Sequence, residues 1–161
     1  MSTLEGQTGR DRMILLLATA FGLGLAPVAS GTVGSVLGVW LACAATLLPS
    51  VWLQVLLALV LAGAAIPICD RAERLFGIKD DHRIVADEYL TFPLCTIGIP
   101  ILARAWWLLF AFVLSRLLDV IKPPPARKAQ DLNGGLGIVL DDVVSSLYTL
   151  GLLHLALWLR R

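Results

Sequence analysis

The chain alternates between long apolar runs and short polar segments, and that alternation is its clearest pattern. Residues 13–21 are apolar but too short to cross a bilayer. Residues 22–32 are rich in Gly, Ala, Ser and Pro and read as a structured loop. Residues 33–48 and 51–69 are apolar again, separated by Pro49-Ser50. Each approaches the roughly 20 residues that a span needs, so together they predict a membrane hairpin with Pro49 in its turn. Residues 70–88 are polar, and residues 89–115 are apolar but broken by Pro93, Gly98, Pro100 and Arg104. Residues 116–142 are polar, with Pro123-Pro124-Pro125 stopping any helix. Residues 143–159 form the last apolar run, and Arg160-Arg161 follows.

The 89–115 run decides the topology. A single crossing puts 70–88 and 116–142 on opposite sides of the bilayer. A turn back at residues 100–104 brings both to one side, beside the 22–32 loop. Pro100 and Arg104 favour the turn, because an arginine in mid-bilayer is costly. Every Asp and Glu then falls on one side. Most Lys and Arg fall there too, which makes that side cytoplasmic by the positive-inside rule, with Arg160-Arg161 on the other. The predicted fold is therefore all-α: a compact helical bundle with several membrane-embedded apolar helices and its acidic motifs gathered on one, cytoplasmic, face. Residues 1–161 read as a single domain, with 1–12 expected to be flexible.

Composition supports a membrane protein. The chain is 58% hydrophobic and 16% charged, where soluble domains average about 45–50% and about 25%. Mean hydropathy is +0.82. The net charge of +1 gives no global field for nucleic acid, and no nucleic-acid-binding motif is present. Cys43, Cys69 and Cys95 lie in or beside apolar runs without the paired spacing of a zinc site, and read as small apolar residues. No cleavable signal peptide is expected.

The acids carry the chemistry. Asp141-Asp142 follows Gly134-Gly135-Leu136-Gly137 and precedes the last apolar run. Adjacent carboxylates repel, more so at a low-dielectric boundary, and a bound cation relieves that repulsion. Asp87-Glu88 ends the stretch IVADE at 84–88. Arg116 and Asp119 are spaced i,i+3, and Lys122 continues the same helical face a turn later. Carboxylates suit hard cations such as magnesium, which bridges to phosphate oxygens. Lysine, arginine and backbone N–H groups suit the phosphate itself, and Gly134 and Gly135 allow close backbone approach to a ligand.

Each element alone has an ordinary reading. Asp87-Glu88 and Asp141-Asp142 can cap helices, Arg116–Asp119 can be a surface ion pair, and residues 134–137 can be a plain turn. Their meeting on one predicted face is what points to a site. His82 reads as a solvated loop residue, and His154 and Trp106-Trp107 as interfacial or satisfied side chains. No nucleophile elbow, catalytic triad or Walker A loop is present.

Four stretches resemble the phosphatidylglycerophosphatase A family: FGLGLAPVASGTVGS at 21–35, IVADE at 84–88, RLLDVIKPPP at 116–125 and GGLGIVLDD at 134–142. Their order and spacing match over most of the chain, from residue 21 to about 146. The resemblance implies an all-helical enzyme that uses magnesium to hydrolyse phosphatidylglycerophosphate to phosphatidylglycerol and phosphate. Mapped by motif, the family's acids fall on Asp80, Asp87, Glu88, Asp119, Asp141 and Asp142. Its Gly-Thr loop falls on Gly31-Thr32 and its Lys-Pro on Lys122-Pro123. Ser30 stands where the family usually has proline, and Ser145-Ser146 where it has Ala-Gly.

The site expected from these readings is explicit. Asp80, Asp87, Glu88, Asp141 and Asp142 are expected to hold Mg2+. Glu88, Asp87, Asp119 and Asp142 carry catalysis, with Glu88 orienting or deprotonating water. Gly31, Thr32, Arg116, Lys122, Gly134 and Gly135 bind substrate. The expected partners are an anionic phospholipid and the membrane, with no nucleic acid, and an oligomer is compatible with the sequence. The resemblance implies the bacterial inner membrane, with the active face toward the cytoplasm. The alternatives are an ion-coupled transporter or channel subunit using the same acids, or a phosphatase for another lipid phosphate. Transport sites favour the bilayer midplane, whereas these acids cluster near predicted helix ends.

Overall fold

The computed structural model describes residues 8–129 and 132–160, and among them it is helical with no strand. The helices are α1 (Gly9–Ala18), α2 (Ser30–Thr46), α3 (Val51–Phe76), α4 (Ala86–Thr91), α5 (Ala105–Ile121), α6 (Ala126–Ala129) and α7 (Gly135–Leu159). Local chemistry sets several boundaries. Thr8 and Asp11 form a capping box at the start of α1, so Gly9–Arg12, expected to be flexible, are its first turn. Residues 1–7 lie outside the described residues. Ser50 Oγ accepts the Trp52 N–H at 3.2 Å and opens α3. Gly77, at φ 70°, closes it.

Three boundaries differ from the sequence expectation. α2 begins at Ser30, so Gly31 and Thr32 are its first turn rather than loop. α3 runs on to Phe76, so Asp70 and Glu73 lie on a helix. α7 begins at Gly135, which puts Asp141 and Asp142 roughly two turns inside it rather than at its cap. In each case the hydrophobic run marks only the buried or lipid-facing part of a longer helix.

The 89–115 run turns back. After α4 the chain makes a 3-10 turn at Phe92–Thr96, reverses over residues 97–104, and returns as α5. The reversal is held at the end of the bundle remote from the acids. His154 Nε2 lies 2.9 Å from Ile97 O, and Gly98 N–H donates to Gln54 Oε1 at 3.0 Å. Trp52, Trp106 and Trp158 are exposed at this same end, as in an interfacial aromatic belt. Arg160 stacks over Trp106.

Two helices, α3 and α7, are long and apolar enough to cross a membrane. Only 17% of the apolar window of α3 is buried. A soluble core helix buries such a face, whereas a span leaves it to lipid. Trp40, Leu56, Leu59, Leu109 and Leu155 extend the exposed apolar surface over α2, α3, α5 and α7. The core lies inside this girdle. Cys69, Val85, Tyr89 and Val139 form one cluster, and Phe92, Ile99, Trp107 and Leu153 another.

Candidate active site

Small residues on α2 bring α4 in close. A side chain at Gly34 would strike Val85, and one at Gly38 would strike Phe92 and Tyr89. With α4 pressed against this face, the Glu88 carboxylate rests directly on the backbone of Gly31. Ser35 Oγ stands 2.8 Å from Glu88 Oε2 and 2.7 Å from Gly31 O, so its one proton serves either. α5 returns to the same point, where Arg116 Nη1 meets Glu88 Oε2 at 2.8 Å and Asp119 Oδ2 at 3.4 Å.

Gly31, Glu88, Arg116 and Asp119 line a cleft of about 390 Å³, together with Ser30, Thr32 and His82, and Ser35 is buried behind Glu88. The bare start of α2 lies in its wall. Val33 N–H, donating to Ala29 O, makes the first bond of the helix, and no side chain caps it. The N–H groups of Ser30, Gly31 and Thr32 therefore have no acceptor within the helix, which is the geometry of an anion site.

The loop before α4 is braced. Arg83 donates to both Asp81 oxygens, at 2.8 and 2.6 Å, and Ser30 Oγ donates to His82 O at 2.7 Å. The paired Arg83 holds the buried Asp81 carboxyl below its ordinary value, burial opposing. This brace sets His82 at the cleft rim.

Behind the cleft lies a buried acidic layer. Asp87 Oδ1 is buried without a hydrogen-bond partner, and its carboxyl stands within hydrogen-bonding reach of that of Asp142. Asp142 N–H donates to Asp141 Oδ1 at 3.0 Å. Asp141 Oδ2 accepts from Lys122 Nζ at 2.8 Å. Burial opposes the charge on Lys122, but the bond to Asp141 and the charges of Asp141, Asp119 and Asp80 together raise the lysine above its ordinary value. Arg116 lies within electrostatic reach of Glu88, Asp142, Asp119 and Asp87, while its Nε has no partner. Asp80 is exposed, at φ 52°, close enough for Asp87, Asp141 and Lys122 to feel its charge.

Most of the expected residues thus converge. Gly31, Thr32, Glu88, Arg116 and Asp119 share the cleft, with Asp87, Asp141, Asp142 and Lys122 packed behind it and Asp80 beside it. Gly134 and Gly135 do not join them. A side chain at Gly135 would strike Ile66 O and Asp70 N, so these glycines serve the crossing of α7 on α3. Sequence reasoning passed over Ser35, and it read His82 as a solvated loop residue, which is exposed as expected but also lines the cleft. Ser35 becomes legible only when α2 is begun at Ser30, and no spacing marks His82.

The donor set suits a hard cation. Among the described residues, no three His, Cys, Asp or Glu stand as a ready metal cage. Two carboxylates do face each other, one with an oxygen left bare. Magnesium is commonly held by one or two carboxylates, with phosphate and water completing its shell.

The family model for phosphatidylglycerophosphatase A matches residues 16–157. A phosphatidylglycerophosphatase A of Escherichia coli is 34% identical over 86% of this chain and 80% of its own. One from Haemophilus influenzae is 34% identical over 84% of this chain and 83% of its own. A Bacteroides thetaiotaomicron protein, provisionally named a phosphatidylinositol-3-phosphatase, is 33% identical over 89% of this chain and 93% of its own. No solved structure matches the chain.

Proposed function

Because the chain belongs to the phosphatidylglycerophosphatase A family, and is with it a phosphoric monoester hydrolase, we propose that it converts phosphatidylglycerophosphate to phosphatidylglycerol and phosphate. The observation that carries the reading is the cleft where Glu88, Arg116 and the uncapped start of α2 meet. It offers cationic and backbone donors to a phosphate beside a carboxylate able to handle a proton.

The roles follow from the positions. The N–H groups of Ser30, Gly31 and Thr32 and the guanidinium of Arg116 receive the phosphate oxygens. Asp119 holds Arg116 in place from one turn away. Glu88, relieved of part of its ion pair when phosphate engages Arg116, orients water and takes its proton. Lys122 neutralises Asp141 and keeps the acidic layer in register. Asp87 and Asp142, with Asp80, Glu88 and Asp141 around them, would hold Mg2+. Bound there, the ion would neutralise phosphate charge and polarise phosphorus. The apolar girdle keeps the acyl chains in lipid, in the bacterial inner membrane with the cleft toward the cytoplasm.

Phosphate release from purified protein tests this. Phosphatidylglycerophosphate and phosphatidylinositol 3-phosphate are offered in turn, with magnesium and with EDTA. Release from the first substrate, dependent on magnesium, is expected. Release from neither, with wild type and Asp142→Asn indistinguishable, would return the acids to the ion-transport reading.

A further inference from the structure

The side chains lining the cleft differ in depth. Those of Glu88 and Arg116 are only 15% and 19% exposed, whereas that of His82 is 79% exposed. The carboxylate and guanidinium are therefore inner groups of the cleft, and the imidazole is an outer one. His82 is nevertheless fixed in place. Its carbonyl oxygen accepts from Ser30 Oγ at 2.7 Å, which ties it to the first turn of α2 in the cleft wall. Its neighbour Asp81 is buried and clamped by Arg83, and Arg83 in turn lies over the Phe76 ring at 3.9 Å. The imidazole itself is not spent on this bracing. Nδ1 lies 3.7 Å from Asp81 Oδ1, beyond hydrogen-bond distance, and both Asp81 oxygens are already taken by Arg83. A merely solvated loop histidine needs no such anchoring. Ala26, Pro27, Ala29 and Val120 also line the cleft and offer no polar side chain.

We propose that His82 is a specificity-determining residue: its imidazole pairs with the head-group hydroxyl carried beside the phosphate ester. This rests on the phosphatase reading and adds what the outer part of the cleft recognises. With the terminal phosphate on Arg116 and the α2 amides, the next atoms outward are the ester carbon and its neighbour. In phosphatidylglycerophosphate that neighbour bears the 2-hydroxyl of the head-group glycerol. A hydroxyl both donates and accepts, and so does a neutral imidazole, so the pair forms whichever ring nitrogen holds the proton. The inner groups hold the phosphate common to every phosphomonoester, and His82 selects the alcohol to which it is attached.

The test pairs phosphatidylglycerophosphate with its 2-deoxy analogue, in which that one head-group hydroxyl is replaced by hydrogen. Both lipids are presented in the same detergent micelles with magnesium, and the readout is the ratio of their kcat/KM values. Wild type is expected to favour the hydroxyl-bearing lipid about tenfold, the upper end of the range for one uncharged hydrogen bond. His82→Phe keeps a ring and removes both nitrogens, and His82→Ala removes the ring altogether. In each the ratio is expected to fall to near one, through loss on phosphatidylglycerophosphate alone. Turnover of the deoxy lipid close to wild type shows that the variant is folded with its inner groups in place. A wild-type ratio near one overturns the proposal, because the hydroxyl is then not read. A wild-type ratio kept by both variants overturns it too, and passes the role to another group such as the Thr32 hydroxyl. An equal fall on both lipids, or loss of both, marks a structural or phosphate contact and likewise overturns it. All three results leave the phosphatase reading intact. Absence of turnover of both lipids by the wild-type chain overturns that reading and the proposal with it.

Discussion

Glu88 Oε2 and Arg116 Nη1 meet at 2.8 Å, and that ion pair closes a stretch of chain that reaches the remote end of the bundle and returns. Both side chains are largely shielded, so neither partner is replaced easily by water. One nitrogen, Nη1, serves both Glu88 and Asp119, so that the rest of the planar fork is there to meet phosphate oxygens. An ammonium offers one point charge and no fork. Arg116→Lys is therefore expected to lower kcat for phosphate release by roughly 100-fold, the usual scale for losing one preorganised donor. Helix content by circular dichroism should stay near wild type. Activity within a few-fold of wild type would remove Arg116 from the site.

Gly31 and Gly34 predict opposite outcomes for the same substitution. A methyl group at Gly31 would collide with the Glu88 carboxylate, which is polar and must stay where it is to act. A methyl at Gly34 would collide with Val85 in the core, at 2.6 Å from Cγ2. Gly31→Ala should abolish most activity with a modest change in thermal midpoint. Gly34→Ala should cost about 1–3 kcal/mol of stability through overpacking. Paired melting curves and phosphate-release rates on the two variants separate the effects. Equal loss of activity per degree of lost stability would mean that Gly31 matters only for packing.

Asp81 gives the loop a pH dependence with a definite sign. The paired Arg83 lowers its native value below the ordinary 3.8, while the unfolded chain keeps the ordinary one. As pH falls, the unfolded state therefore takes up the proton first. The stabilisation is complete above the ordinary value and is lost as pH falls through the native one. Asp81→Ala should lower stability near pH 7 by about 1–2 kcal/mol, the scale of a charge-assisted hydrogen bond. The gap from wild type should shrink below about pH 4. Melting midpoints measured from pH 7 to pH 3 check both halves, and a gap that widens toward acid would contradict the assignment.

Much of this molecule is legible in its residues. The hydrophobic runs locate α2, α3, α5 and α7, and the prolines and Arg104 locate the turn between α4 and α5. Helix ends are less legible, because a polar face can continue a helix past its apolar run. Thus α3 carries Asp70 and Glu73, and Asp141-Asp142 lies inside α7. The acids themselves stand out because carboxylates are costly in an apolar chain. Ser35 and His82 do not, since their roles depend on how α2 meets α4 and on a loop fixed by Asp81. The glycines at 134 and 135 mislead for the same reason: a close approach is visible in sequence, but its partner, here α3, is not.

Asp87 yields the prediction that most directly probes the metal chemistry, because stability and activity should move in opposite directions. Its Oδ1 is buried without a partner, and its carboxyl faces Asp142 with Glu88 and Asp141 nearby. A buried group left in this state costs about 1–3 kcal/mol or more. Asp87→Asn removes one charge and supplies N–H donors to Asp142, so in EDTA the variant should melt higher than wild type by at least ~2–4 °C. It should also lose phosphate release, since function and stability compete at such a position. Added magnesium should then raise the wild-type midpoint, by roughly 2.7 kcal/mol of stability at 100 times the dissociation constant. The variant, short of one of two facing carboxylates, should not respond. Titrating magnesium into both proteins during thermal melts measures this directly. A variant that melts lower than wild type in EDTA, or that gains as much from magnesium, would show that Asp87 is satisfied by the protein alone and does not hold the ion.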